Sequence, residues 1–198
     1  MKLSINNKHI LKYMKLAKLI GEESNPCYSR KIGVVIINPK TNSIISTGYN
    51  GPPSGTPHTD EPSYLKMIYN KLLTKKEKKS LEIVRVTNDR EFSDNYANCK
   101  VCPRRILNID SGKRLELCSC AHAEANALVN ASKNNSSTQD CYMFMSCGIP
   151  CIECAKLIIN AGISNIICLK DRPDYSPQSR WLFNKAGIKI KEMKIENK

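Results

Sequence analysis

Two short patterns, far apart in the chain, constrain it most: His122-Ala123-Glu124 and Pro150-Cys151-Ile152-Glu153-Cys154. Two cysteines three apart at a helix start put both sulfurs on one side of a single turn. Unpaired backbone N–H groups and the helix dipole favour thiolates there, the form a metal ion needs. Pro150 suits a first turn, where a missing N–H costs nothing. One histidine and two cysteines make three ligands, whereas zinc prefers four, and the fourth position is left to water in a catalytic site. Glu124 then stands beside the metal without having to ligate it. Zinc lowers the pKa of its water, and a neighbouring carboxylate can take that proton and hand it to a substrate. The three ligands meet only if the helices that start at the two patterns are neighbours.

The residues around these patterns alternate between strand and helix signals. Leu11, Met14, Ala17, Leu19 and Ile20 recur at helical spacing over His9–Glu22, and Asn25-Pro26 ends that run. Lys31–Asn38 is an unbroken apolar strand, and a turn at Asn38–Asn42 leads to a second over Ser43–Tyr49. The Gly and Pro density of Gly48–Gly55 makes it a loop. Residues 60–118 are Lys-rich and weakly periodic, with one helix over Tyr64–Lys79, and read as an insertion in a single domain spanning 1–198. Beyond it come helix His122–Ser132, strand Cys141–Ser146, helix Cys151–Ala161 closed by Gly162, strand Ser164–Lys170, helix Gln178–Ala186 and strand Gly187–Met193. Such alternation predicts an α/β fold of three layers, α-β-α, around a mixed sheet of about five strands.

Composition narrows the setting. A chain of 198 residues buries enough surface to fold without disulfides, and no apolar run reaches the length of a membrane span. The first residues carry charge but no apolar signal region, so a cytoplasmic setting is expected. Ten cysteines in a reducing compartment point to metal or catalysis for those in pairs, while Cys141, Cys147 and Cys168 read as small core residues. The net charge of +13 divides into +6, +4 and +3 over residues 1–59, 60–118 and 119–198. A spread of that kind attracts an anionic substrate without marking a nucleic-acid track.

His-x-Glu with Pro-Cys-x-x-Cys is the signature of zinc nucleobase deaminases. The chain resembles the cytidine and deoxycytidylate deaminases, and within them the deoxycytidylate branch more closely. The resemblance runs through Ser29–Ile36, Thr47–Pro52, Cys102–Cys118, His122–Ala127 and Cys151–Gly162. It departs at Ser146–Ile149, which is one residue longer than the common pattern. It implies a cytidine deaminase-like fold and hydrolysis of the cytosine 4-amino group of dCMP, giving dUMP and ammonia. His122, Cys151 and Cys154 would bind Zn2+, with Glu124 moving protons. Asn50, Ala123 and Tyr175 would face the substrate, Asn50 at the sugar. The loop Gly48, Tyr49, Asn50, Gly51 would lie near a site for dCTP or dTTP effectors, and the chain would form a homo-oligomer.

A second group of cysteines precedes the catalytic histidine. Cys27, Cys102 and Cys118, joined by Cys99 or His58, could hold a structural Zn2+ that staples the insertion. Relatives place a cysteine where this chain has His58-Thr59. Two rival functions remain open at this point: deamination of a free nucleoside or a polynucleotide base, and a non-catalytic zinc module binding nucleic acid. A structural module has no need of Glu124 beside an open coordination position.

Overall fold

The computed structural model describes residues 5–24, 30–58, 61–79, 102–110, 113–170 and 177–194. These fall into two compact units, one of Met1–Asn25, Lys31–Asn50 and His122–Lys198, the other of Pro26–Arg30 and Gly51–Ala121. Among the described residues, no helix is long and apolar enough to cross a membrane.

The first unit is built on a five-stranded sheet. Its strands are β1 (Gly33–Asn38), β2 (Ser43–Tyr49), β3 (Tyr142–Met145), β4 (Asn165–Leu169) and β5 (Lys189–Met193), in the order β2-β1-β3-β4-β5. β1 runs antiparallel to β2 and β3, while β3, β4 and β5 are mutually parallel. The apolar run of β1 is explained by burial on both faces. Val34 and Ile36 join Met143, Met145, Ile166 and Cys168 on one face, whereas Val35 and Ile37 join Phe144 and Ile167 on the other.

Helix α1 (Asn7–Glu23) covers the second of these faces with Ile10, Tyr13, Met14 and Ala17. Asn6 caps it, its Oδ1 accepting from the His9 N–H at 2.9 Å. The first face receives Ala123 and Ala127 of one helix, Cys154, Ala155 and Ile158 of a second, and Phe183 of a third. The sheet is therefore sandwiched as the alternating pattern predicted. Cys141 and Cys168 are buried, and Cys147 packs half-buried against the same core. At the edge of the sheet, the carbonyls of Thr47 and Tyr49 accept from the side-chain amides of Asn130 and Asn126, each close to 2.9 Å.

The second unit has a smaller core of Ile68, Leu73 and Leu117, flanked by Tyr64, Tyr69, Leu72, Leu107 and Ile109. The single helix expected over Tyr64–Lys79 is two. α2 spans Pro62–Lys71, and a further turn covers 75–79. The break has a local cause in the capping box of Thr74 and Glu77: the Thr74 N–H donates to Glu77 Oε2 at 2.8 Å, and the Glu77 N–H returns to Thr74 Oγ1 at 3.3 Å. Arg114, at φ 49°, ties this turn down through ion pairs to Glu77 and Glu116 and a 2.9 Å bond to the Leu72 carbonyl.

Candidate active site

Three features of the sheet bring one end of it together. Gly33, at the start of β1, pairs with Tyr49 at the end of β2. Its N–H donates to Ser146 Oγ at 2.9 Å and its carbonyl accepts from the Ser146 N–H at 3.0 Å, just past β3. Asn50 and the segment leading to Cys151 therefore flank the same strand start. The helices α3 (Ala123–Lys133) and α4 (Ile152–Asn160) both begin at this end.

His122 is the N-cap residue of α3, and Cys151 is the N-cap residue of α4. Pro150 consequently precedes the cap instead of occupying the first turn, because the helix starts one residue later than the motif suggested. A proline there confines Ile149 to extended backbone and fixes the approach of the chain. The His122 side chain makes no cap bond to its own helix, whereas Cys151 Sγ is bonded to Cys154 within its helix. They turn to each other: His122 Nδ1 lies 3.4 Å from Cys151 Sγ and 3.4 Å from Cys154 Sγ. All three ligand atoms fall within 4.8 Å of one another, the one such group among the described residues.

These distances test the fit to a metal. With Zn–S near 2.3 Å and Zn–N near 2.0 Å at tetrahedral angles, the nitrogen and sulfur of one site stand about 3.5 Å apart. The observed spacings match, and one N and two S donors are a set that suits zinc. Without a cation, the two sulfurs share one charge. Hydrogen bonds from the Cys154 thiol and from His122 pull the Cys151 thiol down to about 4. Cys154 is pushed up, by its bond to Cys151 and by burial, with the Glu124 carboxylate adding to it. A divalent cation reverses this and takes both thiolates.

Glu124 sits in the first turn of α3 and is 4% exposed. A carboxylate there is favoured by the helix N-terminus. The Glu124 carboxylate is near enough to Cys154 for its charge to raise that thiol. Ala123 is fully buried, and its N–H donates to Asn50 Oδ1 at 2.8 Å. Asn50 is itself buried. Gly48 has a structural duty: a Cβ added there would lie 2.3 Å from the Ala123 carbonyl and 2.4 Å from the Ala127 N. Tyr49, by contrast, is 39% exposed. Tyr175, Cys27 and Cys99 lie outside the described residues.

In the second unit, Cys102 is buried and Cys118 half-buried. The contact found there joins His58 Nε2 to Cys120 Sγ at 3.6 Å. Cys120 was absent from the ligand set read from the sequence, although the Cys118-Ser119-Cys120 pairing was its available signal. Burial first, and then the charges of Cys118 and Cys120, push the Tyr64 phenol up.

Residues 7–170 match the family model of the cytidine and deoxycytidylate deaminase zinc-binding region. The chain belongs to that family. It is 31% identical over 183 residues to the human deoxycytidylate deaminase, covering 91% of this chain and 76% of that one. It is 25% identical over 182 residues to the Schizosaccharomyces pombe deoxycytidylate deaminase, of whose length it spans 42%. Its fold is that of the dCMP deaminase of cyanophage S-TIM5, solved in complex with dCMP and dUMP. The TM-score is 0.61 at 20% identity, covering 96% of this chain and 99% of that one. Family membership supplies the zinc that the His122, Cys151 and Cys154 donors fit.

Proposed function

We propose that this chain hydrolyses dCMP to dUMP and ammonia, with His122, Cys151 and Cys154 holding zinc and Glu124 moving the protons. The observation that carries the reading is the buried Glu124 two residues from a ligand histidine, beside a three-ligand set that leaves one zinc position for water. The human and fission-yeast relatives are deoxycytidylate deaminases, which supports the nucleotide as substrate. Zinc, when bound, supplies the Lewis acidity that makes water a nucleophile near neutral pH. Glu124 takes a proton from the attacking water, delivers it to ring N3, and passes the next to the departing amine. Water adds at C4, the C4–N4 bond breaks, and ammonia leaves as the uracil carbonyl forms.

The remaining assignments follow from the same reading. Asn50, Ala123 and Tyr175 face the substrate, and the exposed Tyr49 end of the Gly48–Gly51 loop is the part open to a dCTP or dTTP effector. A homo-oligomer in the cytoplasm is the working assembly. A second, structural zinc belongs to Cys27, Cys99, Cys102 and Cys118, and the His58–Cys120 contact supports His58 as an alternative ligand and adds Cys120 to the candidates. The deciding assay is ammonia release from dCMP, deoxycytidine and a single-stranded oligonucleotide, with and without dCTP and dTTP. Release from the oligonucleotide alone would refute the dCMP reading. Glu124→Gln is expected to keep zinc and lose turnover by roughly 10²–10⁴-fold. A near-normal rate would remove Glu124 from the mechanism.

A further inference from the structure

The helix that carries His122 and Glu124 begins without a cap of its own. Its N-cap residue is His122, whose ring faces Cys151 and Cys154 and makes no cap hydrogen bond. The N–H groups of a first helical turn need acceptors from elsewhere. The first of them, on Ala123, finds one in Asn50 Oδ1, 2.8 Å away and contributed from a point 73 residues earlier in the chain. The bond is buried at both ends, and the backbone N–H of Asn50 is itself held by the Ile32 carbonyl at 3.3 Å. Behind it, β2 and α3 are clamped. Ser46 Oγ donates to the Ala127 carbonyl at 2.8 Å, and Gly48 lets the two backbones touch.

We propose that Asn50 is a positioning residue of the active site. It gives the first N–H of α3 an acceptor while His122 serves the metal, and so sets the depth at which the histidine reaches both sulfurs. The proposal rests on the reading of His122, Cys151 and Cys154 as zinc ligands. It differs from a sugar contact in the atom used. Oδ1 is committed to Ala123, which fixes the amide orientation and makes Nδ2 the side chain's donor. The two roles separate by substitution: aspartate keeps an acceptor of the same length and is as good a cap, but has no amide to donate.

The test follows zinc release from the loaded enzyme into an excess of chelating dye, alongside kcat and KM for dCMP. Asn50→Ala is expected to release zinc about tenfold faster or more, with a fall in kcat, as loss of a group supporting a ligand does. Asn50→Asp is expected to restore zinc retention while KM stays raised. Asn126→Ala, which loosens the same helix beyond its first turn, is expected to hold zinc like the wild type. Zinc release from Asn50→Ala at the wild-type rate, with only KM raised, would overturn the proposal. Equal loss from Asn126→Ala would also overturn it, since docking of the whole helix would then be the cause. Should Asn50→Ala fail to fold, Asn50→Asp decides alone: retained zinc supports the cap, and lost zinc overturns it. A wild-type chain that binds no zinc would overturn the underlying ligand reading and the proposal with it. Zinc held equally by wild type and Asn50→Ala overturns the proposal alone.

Discussion

Each of the two compact units holds a histidine beside a cysteine, at 3.4 Å in the first and 3.6 Å in the second. The surroundings differ. His122, Cys151 and Cys154 sit at the starts of two helices that are themselves packed on a five-stranded sheet, so three donor atoms converge. His58 and Cys120 lie in loop, in a unit whose apolar cluster counts three buried side chains among the described residues, and there the described residues bring together a pair. Sulfur content is similar in both. What makes a coordination site is that each donor's backbone is fixed by packing it does not itself supply.

Substitution of a ligand in each cluster probes this most severely. Cys154→Ser should remove catalytic zinc and with it all measurable ammonia release, by analogy with the large costs of losing a metal site. Cys120→Ser should leave that zinc and the rate in place, and lower total zinc per chain from two to one. Metal analysis showing one zinc in both the wild type and Cys120→Ser would leave the second cluster as thiols. The next effect concerns the cores. Ile158→Ala should cost about 2–5 kcal/mol in urea denaturation, because the sheet behind it cannot collapse into the gap. Leu117→Ala, in the smaller core, should instead raise hydrogen exchange over residues 64–73 more than it moves the global midpoint. Equal midpoint shifts would mean that the two cores unfold together. The smallest effect is expected from Arg114→Ala. Its pairs with Glu77 and Glu116 are partly exposed, so the thermal midpoint should fall by less than for either core substitution.

The grouping of His122, Cys151 and Cys154 is legible in the sequence because spacing and residue type together specify a coordination chemistry. The strands were legible because β1 and β4 are buried on two faces and read as continuous apolar runs. Three features were not. The break at Thr74 depends on a reciprocal pair of hydrogen bonds that a run of lysines obscures. The join of His58 to Cys120 spans 62 residues of weakly patterned chain. The loop pattern points to Asn50 as a ligand contact, and its bond to Ala123 becomes visible only once β2 and α3 are placed. Each depends on a partner distant in sequence or on side-chain geometry, which periodicity does not encode.

The amides of Asn126 and Asn130 against β2 bear on how such a molecule behaves when crowded. An outermost strand offers its bare carbonyls to any passing chain, and stacking by that route leads towards fibres. Here two side chains from the molecule's own helix already occupy the acceptors at Thr47 and Tyr49. The carbonyl row of this border is partly sealed against a stranger's backbone. Growth of the sheet by addition of another strand is discouraged on that side, leaving β5, whose Lys189 and Lys191 repel a like-charged neighbour, as the other border.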